Sequence, residues 1–303
     1  MSTALPVGLI GLGAMGRPIA DHLLRAGYRV VGFDLSEPAR SAHSAAGGEI
    51  ALSAGAIADV AKVIITSLPH VAALDAVLHE LSTVGRPPVI IETSTLTIGE
   101  KHTARDIAAS SGIVLIDCPL SGTSAQAAKG DLVAYLSADG DTVLNEVRQI
   151  VAAFTRAVYE VGAFGNGTKM KLVANTLVAI HNLAAAEALL LAQRSGLDAA
   201  AALAALQDGA GGSKMLQVRG PLMLSSTYEP AMASVDIFVK DLGAIRNLAA
   251  VSGTPMPLIE TTSVIYDEAA AQGRGVEDAA SVMEVLRGLP VDKTPAQQES
   301  ADK

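Results

Sequence analysis

The stretch VGLIGLGAMGRPIADHLLRAGYRVVGFD, residues 7–34, decides the fold of this chain. The apolar run at 7–10 predicts a buried parallel strand, and GLGAMG at 11–16 fits the pattern G-x-G-x-x-G. Ile19, Leu23 and Leu24 then mark one face of a helix, and residues 28–33 predict a second strand. A strand, a glycine turn, a helix and a strand in this order are typical of the first unit of a doubly wound sheet.

The glycine turn at 11–16 predicts a bound dinucleotide. Gly11 allows a tight turn, Gly13 lets the backbone approach a pyrophosphate, and Gly16 lets the helix pack closely on the strand. Ala14 and Met15 complete the cofactor-binding turn, after which the first N–H groups of the helix face the phosphates. For the motif alone, an ordinary glycine turn in an α/β protein is the alternative.

Asp34 favours NAD as the cofactor. It lies about 20 residues beyond the glycine turn, where a carboxylate accepts hydrogen bonds from the adenosine ribose and repels a ribose 2′-phosphate. Arg40 follows a turn or two later and leaves NADP open, because its guanidinium is able to reach a phosphate.

Composition places the chain among globular proteins and argues against several partners. Its 303 residues are 50% hydrophobic and 17% charged, which suits two domains with a large core. A net charge of −9 and 3% aromatic residues argue against nucleic-acid binding. Polar residues interrupt the apolar stretch 172–191, so we expect no membrane span. Met1–Pro6 lacks a basic segment, so we expect no targeting signal and a cytoplasmic location. The single cysteine, Cys118, predicts a buried thiol and excludes an internal disulfide or a cysteine-rich metal site.

Further apolar runs alternate with helical segments and predict a Rossmann-type, doubly wound parallel sheet. The predicted strands lie at 60–67, 88–92 and 113–117, with two more near the far edge at 133–137 and 157–160. In such sheets the loops at the carboxyl ends of the strands form the cofactor crevice. Besides the glycine turn, these loops contain Leu68-Pro69, Thr95 and Ser121-Gly122-Thr123.

The pattern changes at the glycine-rich turn 162–167, after which the sequence predicts helices alone. We therefore predict a dinucleotide-binding domain at 1–162, an all-α substrate and oligomerisation domain at 163–290, and a disordered tail at 291–303. A long helix from Thr168 to Arg194 joins the domains and spans roughly 40 Å. Because it is apolar around most of its circumference, we expect burial on all sides, in part against a second subunit of a homodimer or homotetramer. Shorter helices are predicted at 199–206, 235–252, 257–272 and 281–286.

Lys171 and Asn175 are candidate catalytic groups. They lie four residues apart near the start of the long helix and project from one face. The partial positive charge of the helix N-terminus disfavours the ammonium form, which suits a lysine that accepts a proton from an alcohol. The alternative is a solvated lysine, the role that we assign to Lys169, which points elsewhere.

Two other segments carry small polar or charged groups. The hydroxyls and backbone N–H groups of Ser121-Gly122-Thr123 suit a substrate carboxylate, and an ordinary polar turn is the alternative. Lys240-Asp241 is by itself a surface ion pair.

Four motifs in order resemble the β-hydroxyacid dehydrogenases, the family of 3-hydroxyisobutyrate dehydrogenase and tartronate semialdehyde reductase, across residues 7–289. They are GLIGLGAMG at 8–16, DCPLSGTSAQAAKGDL at 117–132, GNGTKMKLVAN at 165–175 and KDL at 240–242. The resemblance implies hydride transfer between NAD and a small β-hydroxy acid, or the matching semialdehyde or keto acid. The particular substrate and the physiological direction stay open.

The resemblance also implies a role for each candidate residue. Lys171 is the general acid/base, Asn175 holds the substrate, and Ser121, Gly122 and Thr123 cradle its carboxylate. Closure of the two domains is expected to position the reactants. The further cofactor-binding residues that the resemblance implies are Thr95 at the nicotinamide end, Leu68 and Pro69 along the nucleotide, and Lys240 beside the cofactor.

The chain departs from the family pattern at three positions. Thr123 stands where a glycine is usual, Ala174 where an asparagine is usual, and Asp131 where a threonine is common. The first two touch the substrate pocket and argue against strict 3-hydroxyisobutyrate specificity. Two alternatives stay open: an imine reductase-like enzyme, against which Lys171 counts, and a non-catalytic dinucleotide-binding or oligomerisation module.

Overall fold

The first part of the chain forms a parallel sheet, and the computed structural model describes residues 6–140 and 144–290. The strands lie in the order β3-β2-β1-β4-β5-β6, with every neighbouring pair parallel. The order changes direction between β1 and β4, and such switch points open a crevice at the carboxyl ends of the strands. The predicted Rossmann-type fold is confirmed. The strands are β1 (Val7–Ile10), β2 (Val30–Phe33), β3 (Glu49–Ile50), β4 (Val63–Thr66), β5 (Val89–Glu92) and β6 (Val114–Asp117).

Helices cover both faces of this sheet, because successive side chains of a strand point to opposite sides. Leu9, Ile65 and Ile91 pack on the face that α1 covers. Their neighbours Ile64 and Ile90 pack on the other face, with α3, α4 and α5. The helices are α1 (Gly16–Arg25), α2 (Glu37–Ala45), α3 (Ala54–Ala58), α4 (Val71–Leu81) and α5 (Ile98–Ser110).

A second, smaller sheet follows, with the order β7-β8-β9. The sequence predicted strands at 133–137 and 157–160 near the far edge of the parallel sheet; both strands form, but they pair in this second sheet rather than in the first. β7 follows β6 in the same direction and pairs antiparallel with β8, while β9 pairs parallel with β8. An isolated bridge between Asp117 and Ser137 connects β6 to the residue after β8. The elements here are β7 (Leu120–Ser121), α6 (Ser124–Ala128), β8 (Val133–Leu136), α7 (Leu144–Ala152) and β9 (Ala157–Glu160).

The remainder of the described chain is helical, as predicted. One of its helices, α10, was not predicted from the sequence. Residues 214–225 form α10 although Gly220 and Pro221 lie near its middle. Gly220 is buried, and it packs so closely on α9 that a Cβ at this position would lie 2.6 Å from the Cδ1 atom of Leu203. The helices are α8 (Asn166–Arg194), α9 (Ala199–Asp208), α10 (Lys214–Ser225), α11 (Val235–Ser252), α12 (Pro257–Ala269) and α13 (Val282–Gly288).

The long helix α8 is less buried within the chain than the sequence predicted. Met170, Val173, Leu177 and Leu191 are exposed, and they lie along one face. The helix is long and apolar enough to cross a membrane by length and composition alone. Its first turn is hydrogen-bonded to Asp117 at the end of β6.

The contacts divide the described residues into two compact units. The first extends to Asn175 and includes Asn247–Gly253, and the second contains Thr176–Arg246 and the described chain from Thr254 onward. The division therefore falls inside α8, whereas the sequence suggested a boundary at 162. The predicted disordered tail, 291–303, lies outside the described residues.

Candidate active site

The glycine turn follows β1 and has the geometry of an anion cradle. Gly11 adopts a φ of +92°, and a Cβ at this position would overlap the carbonyl oxygen of Ser67. A Cβ on Gly16 would overlap the carbonyl oxygen of Gly11, so this glycine makes room for the turn itself. Gly13 is exposed, and among the described residues no heavy atom lies within 4 Å of the position of its Cβ. The space beside Gly13 suits a ligand that approaches the backbone.

The amino terminus of α1 also fits a bound phosphate. Met15 occupies the N-cap position and makes no side-chain cap, and the first turn of α1 carries no acidic residue. By contrast, α2 to α6 are each capped by a side chain that accepts a backbone N–H. The first N–H groups of a helix need a partner, and an anion is a favourable one. The residues of this turn therefore fit the pyrophosphate of a dinucleotide.

Asp34 lies at the carboxyl end of β2 and contacts the glycine turn. Its Oδ2 atom accepts the N–H of Leu12 at 2.7 Å, and its Oδ1 atom accepts the N–H of Ser36 at 2.7 Å. Arg40 donates to the carbonyl oxygens of Asp34 and Leu35, at 2.6 and 2.9 Å. The carboxylate and the guanidinium on which the NAD and NADP interpretations rest are thus neighbours.

The loops after β4 and β5 are joined by a hydrogen bond at the same edge of the sheet. Leu68 donates its N–H to the hydroxyl of Ser94 at 3.1 Å, and Thr95 follows Ser94 directly. Leu68 and Thr95 are half-buried, and Pro69 is exposed. The candidate cofactor residues of these two loops thus lie at the crevice edge.

The segment Ser121-Gly122-Thr123 connects β7 to α6. Gly122 has a φ of +139°, a backbone conformation that favours glycine. Thr123 caps α6: its hydroxyl accepts the N–H of Gln126 at 3.4 Å, and the side-chain oxygen of Gln126 accepts the N–H of Thr123 at 3.1 Å. Thr123 is therefore engaged within its own loop, while Ser121 is half-buried at the end of β7.

Lys171 and Asn175 are buried on one face of α8. Each is 9% exposed, so the solvated-lysine alternative is wrong for Lys171. Lys169 is exposed and donates to the side-chain oxygen of Asn166 at 3.2 Å, which confirms the solvated role assigned to it. Lys171 and Asn175 belong to the same compact unit as the glycine turn, whereas Lys240 lies on α11 in the second unit. The side chain of Lys240 is 52% exposed and lies 3.5 Å from the Oδ1 atom of Asp241.

A group of fully buried charges at the ends of β5 and β6 was not predicted. Glu92 and Asp117 end these two strands, and Lys101 lies on α5; all three are 0% exposed. The sequence contains a signal for Lys101, because it shares the buried stripe of α5 with Ala104 and Ala108 at helical spacing. Next to them Cys118 is buried, as predicted, and burial raises the pKa of its thiol.

Comparison with known proteins agrees with this geometry. Residues 6–162 match the family described as the NAD binding domain of 6-phosphogluconate dehydrogenase, and residues 165–286 match the family described as NAD-binding of NADP-dependent 3-hydroxyisobutyrate dehydrogenase. L-threonate dehydrogenase of Cupriavidus necator is 32% identical over 288 residues, which covers 93% of this chain and 96% of the relative. NAD-dependent L-serine dehydrogenase of Pseudomonas aeruginosa is 30% identical, covering 92% of this chain and 97% of the relative.

A solved structure supports the same assignment. The crystal structure of 3-hydroxyisobutyrate dehydrogenase from Salmonella typhimurium is 28% identical and superposes with a TM-score of 0.85, covering 93% of this chain and 99% of the other. Fold and glycine turn are those of a dinucleotide-dependent oxidoreductase that acts on CH–OH groups. The chain belongs to the β-hydroxyacid dehydrogenase family, and its cofactor is NAD or NADP.

Proposed function

We propose that this chain transfers a hydride between NAD and a small β-hydroxy acid, with Lys171 as the general acid/base. The observation that carries the proposal is the burial of Lys171 and Asn175 on one face of α8, within the compact unit that contains the glycine turn. A general base must reach the hydroxyl proton in a site that excludes bulk water. A buried lysine and a buried amide one helical turn apart supply such a pair of groups.

The proposed residues divide the reaction between them. The glycine turn and Asp34 would hold the dinucleotide, whose nicotinamide would supply the two-electron acceptor for the hydride of the carbinol carbon. Lys171, in its neutral form, accepts the hydroxyl proton at Nζ while the C–O bond becomes C=O. Asn175 holds the substrate beside that nitrogen. In the reductive direction Lys171 returns the proton to the carbonyl oxygen.

The substrate class follows from the loop after β7 and from the relatives. L-threonate, L-serine and 3-hydroxyisobutyrate, after which the relatives are named, each combine a carboxylate with a hydroxyl on a short carbon chain. We extend that class to this chain, with Ser121 and Gly122 as the primary contacts of the carboxylate. Thr123 contributes once its capping box with Gln126 opens, because its N–H and hydroxyl are engaged there.

Three further assignments accompany the proposal. Asp34 makes NAD the preferred cofactor, since its carboxylate lies where a 2′-phosphate would bring a second negative charge.

The exposed apolar face of α8 is where a second copy of the chain would pack in a homodimer or homotetramer. A monomer in light scattering would contradict the second assignment. The third is a cytoplasmic location, which cell fractionation checks.

Lys171→Ala tests the catalytic role. We expect turnover to fall by about 10²- to 10⁴-fold, the usual contribution of a general acid/base, while NADH affinity stays within about twofold of the parent. Lys169→Ala is the matched control, because that exposed lysine lies two residues earlier on the same helix, and it should keep parental turnover. The assay uses a panel of C3 to C6 hydroxy acids, semialdehydes and keto acids together with a cyclic imine. Parental turnover by Lys171→Ala would refute the role of Lys171, and a parent that binds NADH but turns over no compound would favour the binding-module alternative.

A further inference from the structure

One buried lysine joins the two strand ends that flank the proposed site. Lys101 donates to the Oε2 atom of Glu92, and its Nζ atom lies 3.0 Å from the Oδ1 atom of Asp117. Glu92 and Asp117 are direct register partners on β5 and β6, so their two negative charges lie side by side. Burial acts to lower the pKa of Lys101, but the charges of Asp117 and Glu92 outweigh it and raise that pKa. Lys101 therefore stays charged and offsets the repulsion between the carboxylates.

Asp117 holds the first turn of the helix that carries Lys171. Its Oδ2 atom accepts the N–H of Thr168 at 2.8 Å, and its Oδ1 atom accepts the Thr168 hydroxyl at 2.7 Å. Ser137 donates its hydroxyl to the same carboxylate at 3.0 Å and accepts the N–H of Gly167 at 2.9 Å. A carboxylate at this position satisfies N–H groups that lack partners within the helix and stabilises the helix dipole. Lys171 follows Thr168 by one helical turn.

Glu92 holds the loops on the cofactor side. Its Oε1 atom accepts the N–H of Ser94 at 2.8 Å, and the Ser94 hydroxyl accepts the N–H of Leu68. Ser94 is followed by Thr95, so this branch reaches both loops in which cofactor residues are proposed. One ammonium group is thus connected to the start of α8 through Asp117 and to the β4 and β5 loops through Glu92.

We propose that Lys101 is a positioning residue that fixes the start of α8, and with it Lys171, against the loops that hold the cofactor. The inference rests on the proposed role of Lys171. A buried ion pair gives little net stability over apolar packing of the same volume, because both charges lose their hydration. Fixed geometry between the proton acceptor and the cofactor loops is what this network adds.

The first experiment removes one hydrogen bond of this network, the bond from the Thr168 hydroxyl to Asp117. Thr168→Val keeps the shape of the side chain and deletes the hydroxyl that Asp117 accepts, whereas Thr168→Ser retains it. We expect Thr168→Val to accelerate amide hydrogen exchange at residues 167–172 and to lower kcat, each by about tenfold, which corresponds to about 1.4 kcal/mol. NADH affinity should stay within about twofold, and Thr168→Ser should restore both readouts. If Thr168→Val keeps the parental exchange rates and the parental kcat, Asp117 does not fix the start of α8 and the proposal is refuted.

The second experiment tests Lys101 itself. In Lys101→Met/Glu92→Gln one buried cation and one buried anion are removed together, so that Asp117 is not left beside a second uncompensated carboxylate. We expect the same acceleration of exchange at 167–172 and the same loss of kcat, because Asp117 loses the charge that orients it. A folded double variant with parental exchange and kcat overturns the proposal. Lys62→Met is the matched control, since it removes an exposed ion pair with Glu146 in the same unit and should change neither readout.

The two readouts separate this inference from the proposed function. Hydrogen exchange is measured without substrate, so it reports the anchoring of α8 even if Lys171→Ala retains turnover and the catalytic role of Lys171 is refuted. If Lys171→Ala abolishes turnover while exchange in the double variant is parental, the proposed function holds and the positioning role of Lys101 is refuted.

Discussion

Replacement of Gly13 by alanine should separate cofactor binding from folding at the glycine turn. Gly13 has no left-handed backbone conformation, and among the described residues no heavy atom lies within 4 Å of its Cβ position. The protein itself therefore has room for the methyl group. Gly16 is the opposite case, because its Cβ would overlap the carbonyl oxygen of Gly11.

The magnitudes follow from these two geometries. For Gly13→Ala we expect the free energy of unfolding to change by no more than about 0.5 kcal/mol, as for substitutions that meet no neighbour. The methyl group enters the space proposed for the pyrophosphate and costs at least one backbone hydrogen bond to a charged oxygen, about 1.5–3 kcal/mol. The dissociation constant of NADH should rise by about 10- to 150-fold. Gly16→Ala should destabilise the fold itself, because the turn must shift to accept the methyl group.

Urea unfolding and NADH fluorescence titration measure the two quantities independently. Gly85→Ala is the matched control, because that glycine also has open space around its Cβ position. It precedes β5 and so lies at the amino ends of the strands, whereas the crevice lies at their carboxyl ends. It should leave both quantities near their parental values. Gly13→Ala that binds NADH within about twofold of the parent would show that the pyrophosphate does not approach this backbone.

Two further predictions concern charge. The parent should bind NADH more tightly than NADPH. Asp34→Asn should bring the dissociation constants of the two cofactors closer together, because it removes the repulsion of a 2′-phosphate. Tighter binding of NADPH than of NADH by the parent would contradict the role of Asp34. His43 is 2% exposed, and burial lowers its pKa against an opposing hydrogen bond to the backbone of Val30. Its contribution to stability is complete above the unfolded pKa of about 6.5 and is lost as the pH falls toward the folded value, since only the unfolded state then takes up the proton. Urea midpoints at pH 7.5 and 5.5 should therefore differ more in the parent than in His43→Phe, and equal differences would refute this assignment.

The local patterns of the sequence identify the parallel strands and the glycine turn but not all the pairings between strands. The runs at 7–10 and 88–92 are apolar because both faces of a parallel strand are buried, and this signal is local. Whether β8 and β9 extend the first sheet or form a second sheet with β7 depends on how the chain folds back between β7 and β8, which periodicity does not encode. The helix α10 was missed for a related reason: Gly220 and Pro221 are helix breakers in isolation, and packing against Leu203 reverses that preference.

The candidate site could be predicted where the chemistry depends on spacing along one element. Lys171 and Asn175 are four residues apart, so one helix places both on the same face. The partners of that helix come from distant segments: Asp117 is 51 residues before Thr168. Charged residues are usually exposed, so Glu92 and Lys101 would each be assigned to the surface when considered singly. The helical spacing of Lys101 with Ala104 and Ala108 indicates a buried stripe on α5. The burial of Glu92 and its contact with Lys101 follow only from the pairing of β5 with β6 and the packing of α5 on that face.

The position of Asp117 also changes the expectation about domain closure. Because Asp117 ends β6 and binds the first turn of α8, the start of that helix belongs to the same compact unit as the glycine turn. Lys171 and the glycine turn therefore lie within one compact unit. We therefore expect the fold of this unit, rather than domain closure, to place the proposed proton acceptor near the proposed dinucleotide site. Lys240, on α11 in the second unit, is the candidate through which such a movement would act, and its replacement by alanine should affect cofactor affinity more than the proton-transfer step.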